Sequence, residues 1–168
     1  VAVEVLMKGA LPIWVALYIM DISRSSALLI GPPLLAIAGN NWSVFLKMQG
    51  GRGIAVTGGT LLALSPVLLI ACAVIATGGW RITKSSGLWV LISLALLPLW
   101  AYLVHDNLNL VWYCLGLLGI VVLKRLSANW TPFPEDVSRK RVLFNRLVRD
   151  RDVSDRTGWV RRIPEGSS

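Results

Sequence analysis

Long apolar runs with no polar stripe dominate this chain and decide which solvent surrounds it. Residues 9–20, 27–38, 54–80, 87–104 and 108–123 are apolar on every side, and of the breaks between them only 39–53 is long. A surface helix of a water-soluble domain keeps a polar face; one that is apolar all round suits lipid. In hydrocarbon each backbone amide must be paired within the protein. Helices are therefore the spanning elements expected, since a barrel would show short alternating strands. Mean hydropathy is +0.64, and only 15% of the 168 residues are charged. The expected fold class is all-α: a polytopic integral membrane helix bundle with about six membrane helices, some short, over residues 1–126. Residues 127–168 then form a basic cytoplasmic tail.

The charges are segregated. Of 17 lysines and arginines, eleven lie from Lys124 onward; the others are Lys8, Arg24, Lys47, Arg52, Arg81 and Lys84. A net charge of +8 could serve nucleic acid, but basic residues collect on the cytoplasmic face of membrane proteins and favour anionic lipid. Membrane lipid, not nucleic acid, is the partner expected. Cys72 and Cys114 sit inside apolar runs with no CxxC spacing, as buried structural thiols do. No metal-ligand spacing is visible and no cofactor is implied. The chain opens at Val1 within an element already under way, which suggests that sequence precedes it.

The positive-inside rule fixes a topology. With the tail inside, residues 108–123 run inward and His105, Asp106 and Asn107 lie outside. Arg81 and Lys84 are then inside. A single crossing by residues 54–80 would leave Lys47 and Arg52 outside. That run is 27 residues long and holds Ser65-Pro66, whereas one crossing needs about 20. Proline lacks a backbone donor and disfavours helix just before it. The run is therefore expected to split near Ser65 into two short helices that return the 39–53 segment to the tail's side. His105, the one histidine, ends up opposite that segment and is not assigned a catalytic role. Trp14, Trp80, Trp89, Trp100 and Trp112 read as interface anchors or packing. In the tail, residues 136–149 could form an amphipathic helix on an anionic surface, with Val137, Val142, Leu143, Leu147 and Val148 apolar; the alternative is a solvated tail.

One segment carries chemistry: Gly39-Asn40-Asn41-Trp42-Ser43-Val44-Phe45-Leu46-Lys47-Met48-Gln49-Gly50-Gly51-Arg52-Gly53. Glycines let backbone amides approach an oxyanion without Cβ clashes. The helix start that follows adds partial positive charge. Arg52 offers a planar fork and Lys47 a point charge. Gly50, Gly51, Arg52, Gly53, Lys47 and Asn40 are the candidate phosphate-binding residues. A plain turn with snorkelling cations is the competing account.

The same segment resembles the second motif of the bacterial acyl-phosphate:glycerol-3-phosphate acyltransferase family, the PlsY type, which runs Gly-His-x-Phe-Pro-x-Phe-Leu-x-Phe-Lys-Gly-Gly-Lys-Gly-Val-Ala. Gly39, Phe45, Leu46, Gly50, Gly51, Gly53 and Ala55 match without a gap, and Trp42, Arg52 and Ile54 are conservative replacements. Lys8-Gly9-Ala10-Leu11-Pro12 resembles the family's Lys-Gly-Ala-x-Pro stretch. Arg81 with Ser85 and Ser86 resembles its Thr-Arg-x-x-Ser loop, and Lys124-Arg125-Leu126 the end of its third motif. The resemblance spans about Glu4 to Leu126. Asn40, Ser43 and Gln49 replace the motif's histidine, proline and first lysine. Gly119 and Val122 replace a histidine and an asparagine of the third motif, and the first motif has no counterpart.

The resemblance implies a bacterial plasma-membrane enzyme of about seven helices, an acyltransferase of phospholipid biosynthesis. Its substrates would be acyl phosphate and glycerol 3-phosphate, its product lysophosphatidic acid. Acyl phosphate is already activated, so no covalent nucleophile is needed; the protein must hold two anions together. Lys47, Arg52 and the glycine amides would hold one phosphate. Arg125 would reach the other, and Ser85, from the matching loop, is a further candidate phosphate-binding residue. The replaced residues leave a second reading open, a catalytically silent homologue that binds a phosphorylated lipid or a membrane partner.

Overall fold

The computed structural model describes residues 3–23, 26–48, 50–105, 107–128 and 138–149. The expectations placed on Arg24, Gln49, Asp106, Val137 and the tail after Arg149 lie outside the described residues. Among those described, every regular element is helical. A π-helical turn, Glu4–Ala10, leads into α1 (Leu11–Tyr18). A 3-10 turn precedes α2 (Gly31–Asn41), and another, Val44–Leu46, follows it. Then come α3 (Ile54–Leu64), α4 (Pro66–Thr83), α5 (Ser86–His105), α6 (Leu108–Ser127) and α7 (Arg139–Arg149).

The helix break falls at Ser65, as expected, but the halves are unequal. α3 has 11 residues, whereas α4 has 18 and is a full candidate span. Ser65 is extended, and its hydroxyl accepts the Leu68 amide at 3.3 Å, capping α4, with Pro66 at the first helical position where a missing N–H costs nothing. α4, α5 and α6 are the three described helices long and apolar enough to cross a membrane. Their burial is low, 11% of the α4 window and 39% of the α6 window. Val67, Ile70, Val74, Leu99, Leu103, Trp112 and Leu123 face outward, as lipid-facing side chains do. Trp80 and Trp100 are exposed too, but Trp89 covers Gly79 and donates to the Thr83 hydroxyl at 2.7 Å.

The core lies where α3 to α6 meet: Val56, Leu61, Leu68, Leu94, Leu97, Tyr113, Cys114 and Leu117 are buried there with Ile37 of α2. Within it the Thr60 hydroxyl donates to the Thr57 carbonyl at 2.9 Å and meets the Tyr113 hydroxyl at 2.6 Å. Gly9 and Gly59 press two backbones together, so that a Cβ on Gly59 would stand 2.0 Å from the Val5 carbonyl oxygen. Small residues at such crossings are how helices approach closely in lipid. Cys72 and Cys114 are free thiols.

α5 and α6, each 20 residues and separated by only two residues in sequence, pack together and run antiparallel. The start of α3, the α4–α5 turn and the end of α6 therefore share one end of the bundle. At the other end the Ser65 hydroxyl lies 2.7 Å from His105 Nε2. The tail helix is shorter than expected and is not merely laid on a surface. It packs against α5 and α6, burying Val142, Asn145 and Arg146, while Leu143 and Phe144 stay exposed beside Arg139, Lys140 and Arg141.

Candidate functional site

After Asn41 the chain leaves the helix and turns back through Lys47 and Met48, both left-handed (φ 51° and 64°). Phe45, at the tip, is 98% exposed. The glycines then return beneath the end of α2. A Cβ on Gly50 would stand 2.4 Å from the Asn40 carbonyl oxygen and 2.6 Å from that of Asn41. Gly53 has φ +66° and sits against the Asn41 side chain. It starts α3 with no side-chain cap, so the helix presents its first amides and the positive end of its dipole beside Arg52.

This helix start opens on a cavity of about 540 Å³. One end is cationic and glycine-rich: Gly50, Gly51, Arg52, Lys124, Arg125 and Arg146. The rest is mostly apolar, with Leu61, Leu69, Ala73, Ala76, Val90 and Leu94 from α3, α4 and α5. No aspartate or glutamate is among its described lining residues. Lys124 and Arg125 are 6% and 7% exposed. The Lys124 ammonium donates to the Asn41 carbonyl and stands 5.5 Å from the centre of the Trp42 ring, which ties α6 to the end of α2. Arg125 Nη1 donates to the Leu147 carbonyl at 2.7 Å.

Two buried polar groups at the site lack a partner. The Thr57 hydroxyl lines the cavity, with the residue 6% exposed, and Asn41 is fully buried with neither carboxamide atom bonded. Each such group costs about 1–3 kcal/mol until a partner arrives. Thr57 lies one turn into α3, between the cationic end and the apolar wall.

Of the residues expected at the site, Gly50, Gly51, Arg52 and Arg125 come together around the cavity. Gly53 stands behind them, buried on Asn41. Asn40 touches the loop from outside the cavity, its carbonyl toward Gly50 and its amide toward Gly51. Lys47 is exposed in the turn, and Ser85 is half-buried in the α4–α5 turn; neither lines the cavity. Lys124, Arg146, Thr57 and Asn41 were not among the binding residues expected from sequence. Lys124 adjoins a motif arginine, but its partner is a backbone carbonyl 83 residues away. His105 lies at the opposite end, beside a small hollow with Ser26 and Asn107.

The family model for glycerol-3-phosphate acyltransferase matches residues 1–132. A glycerol-3-phosphate acyltransferase of Dehalococcoides mccartyi is 30% identical over 96% of this chain and 77% of its own length. A second from that species is 32% identical over 96% of this chain and 66% of its own length. Among solved structures, the integral membrane glycerol 3-phosphate acyltransferase PlsY, in its glycerol 3-phosphate form, matches with a TM-score of 0.66 at 18% identity, covering 73% of this chain and 60% of that one. Its lysophosphatidic acid form matches with the same TM-score. The chain thus spans three fifths of the solved relative and two thirds to three quarters of the two curated ones.

Proposed function

The chain belongs to the glycerol-3-phosphate acyltransferase family, and on that premise we propose that it transfers an acyl group from acyl phosphate to the 1-hydroxyl of glycerol 3-phosphate, giving lysophosphatidic acid and orthophosphate. The observation that carries this reading is the cavity's polarity: a cationic, glycine-rich end runs directly into an apolar wall. An acyl phosphate has that same division, and a free polar metabolite does not.

The glycerol hydroxyl oxygen attacks the acyl carbon, and the bond from that carbon to the phosphate oxygen breaks. The hydroxyl proton passes to a phosphate oxygen, so no side-chain base is required. Arg52, the loop amides and the start of α3 hold one phosphate and stabilise the charge on the leaving group. Lys124 and Arg125, on the facing helix, serve the second anion. The Thr57 hydroxyl, unpartnered between phosphate and chain, donates to the acyl carbonyl oxygen. Leu61, Leu69 and Val90 receive the first methylenes of the chain.

The membrane is the plasma membrane, and the orientation follows from charge. The glycine loop, Arg81, Lys84, Lys124, Arg125 and α7 belong to one end of the bundle, and the positive-inside rule makes that end cytoplasmic. A cysteine at Ser43 is then shielded from impermeant reagents added outside; labelling from outside refutes this orientation.

The full gene product in nanodiscs, given acyl phosphate and radiolabelled glycerol 3-phosphate, should yield lysophosphatidic acid. Arg52→Ala should lose most of that turnover, since one charge-assisted phosphate contact is worth about 1.5–3 kcal/mol. Turnover with an acyl thioester but not with acyl phosphate would overturn the donor assignment. Unchanged turnover in Arg52→Ala would overturn the site.

A further inference from the structure

The family match ends at residue 132, yet one residue that lines the cavity, Arg146, comes from beyond it. α7 packs across α5 and α6. Its inward face carries Val142, fully buried, with Asn145 and Arg146 at 4% and 3% exposure. Two guanidiniums fasten it: Arg125 Nη1 donates to the Leu147 carbonyl at 2.7 Å, and Arg146 Nη1 to the Leu126 carbonyl at 3.3 Å. Each arginine thus reaches the backbone of the other's helix, which holds the two side chains side by side at the cavity's cationic end. Arg146 lines that end with Arg52, Lys124 and Arg125.

A fastening role alone would not select this residue. A leucine or methionine on the inward face would dock α7 at lower desolvation cost. Arg146 also adds a fourth cation to a cavity end whose described lining residues include no carboxylate, and a phosphate suits such an end. The outward face differs in character. Arg139, Lys140 and Arg141 are exposed to solvent or headgroups, as basic residues beside a membrane generally are.

We infer that α7 is a strap that completes the substrate site, with Arg146 a direct ligand of a phosphate monoester on one of the two substrates. This rests on the acyl-transfer reading for the identity of the anion, though not for its presence. Phosphate bridges Arg146 and Arg125 across the α6–α7 contact, so occupancy and docking of α7 reinforce one another.

The test uses the full chain in nanodiscs, with Arg146→Gln, which keeps a donor for the Leu126 carbonyl but removes the charge, Arg146→Lys, and Arg141→Ala as an exposed control on the same helix. Expected is a rise of about tenfold or more in KM for one substrate in Arg146→Gln, partial recovery in Arg146→Lys, and no change in Arg141→Ala. A rise for acyl phosphate alone assigns Arg146 to the donor; a rise for glycerol 3-phosphate alone assigns it to the acceptor. Unchanged KM for both, or an equal loss in Arg141→Ala, overturns the proposal. Titration with inorganic phosphate, followed by melting temperature, separates the two readings. If no variant turns over but phosphate stabilises the parent chain and fails to stabilise Arg146→Gln, the strap site stands and the acyl-transfer reading falls. If phosphate stabilises both equally, the strap site falls.

Discussion

Replacing Gly50 by alanine probes the loop at its tightest point. The new Cβ would meet the Asn40 carbonyl oxygen at 2.4 Å and the Asn41 carbonyl oxygen at 2.6 Å. Carbon–oxygen contacts settle no closer than about 3.3 Å, so loop and helix end must part by nearly an ångström. Neither neighbour is a flexible side-chain tip; both are backbone in the last turn of α2. Overpacking of this kind costs about 1–3 kcal/mol. The Asn41 carbonyl also accepts from the buried Lys124 ammonium, and disturbing a bond to a charged group adds about 1.5–3 kcal/mol. The combined loss is about 2.5–6 kcal/mol, a large part of an ordinary folding free energy of about 5–15 kcal/mol. Two neighbours serve as controls. A Cβ at Gly39 meets nothing within 4 Å, so Gly39→Ala should hold or gain stability. At Gly51 the nearest group is the Asn40 amide nitrogen at 3.4 Å, so Gly51→Ala should fold but put a methyl at the cavity wall. Melting in nanodiscs, with and without inorganic phosphate, reads all three. Gly50→Ala should melt far below the parent chain. Gly51→Ala should melt with it but bind phosphate about tenfold more weakly, which is about 1.4 kcal/mol. A Gly50→Ala protein that melts with the parent would refute the packing account, and undiminished phosphate binding in Gly51→Ala would refute the cradle.

Thr57→Val removes an unpartnered buried hydroxyl at nearly constant shape, so the ligand-free protein should keep its stability or gain about 1 kcal/mol while turnover falls several-fold; lower stability with full turnover would contradict the role given to that hydroxyl. Tyr113→Phe should cost about 1 kcal/mol, because the Thr60 proton is already committed to the Thr57 carbonyl and the tyrosine is the donor between the two hydroxyls; chemical denaturation measures it. Ser65→Ala removes the cap of α4 and the bond to His105, at about 1 kcal/mol. Neither it nor His105→Gln should alter the KM for either substrate, and a changed KM would relocate the chemistry to the opposite end.

The helices were legible because lipid imposes a blunt rule on their composition, and the break at Ser65-Pro66 because proline acts locally. Their ends were less so. Charges stop an apolar run but do not stop a helix. α6 continues through Lys124 and Arg125 to Ser127, and α4 through Arg81 to Thr83. The first helical segment starts at Glu4, whose carboxylate reaches Lys8 one turn later at 3.5 Å. The glycine loop was legible because a cradle and its amides are contiguous in sequence. Lys124 and Asn41 were not, since their bond joins a side chain to a backbone group across 83 residues, and no motif records such a pair. α7 showed its amphipathic pattern, but a basic helix that docks on protein and one that lies on lipid share that pattern. Only the burial of Asn145 and Arg146 separates them.

The shortness of α3 gives the site its depth. α3 and α4 meet at Ser65 and run back toward the same end, with 11 and 18 residues. At 1.5 Å per residue, and with axes roughly aligned, α3 begins about 10 Å short of where α4 ends. The cavity respects that level: on α4 its lining stops at Ala76, seven residues before Thr83. The glycine loop is therefore recessed below the end of the bundle, and Arg146 of α7, which packs on α5 and α6, lines the same cavity. The cationic, glycine-rich end of the cavity therefore sits directly against its apolar wall. A full-length α3 would lift the cradle out to solvent and part the phosphate from its chain. The Ser65-Pro66 break, which interrupts an otherwise continuous apolar run, thus sets how deep in the bundle the glycine loop and Arg52 lie.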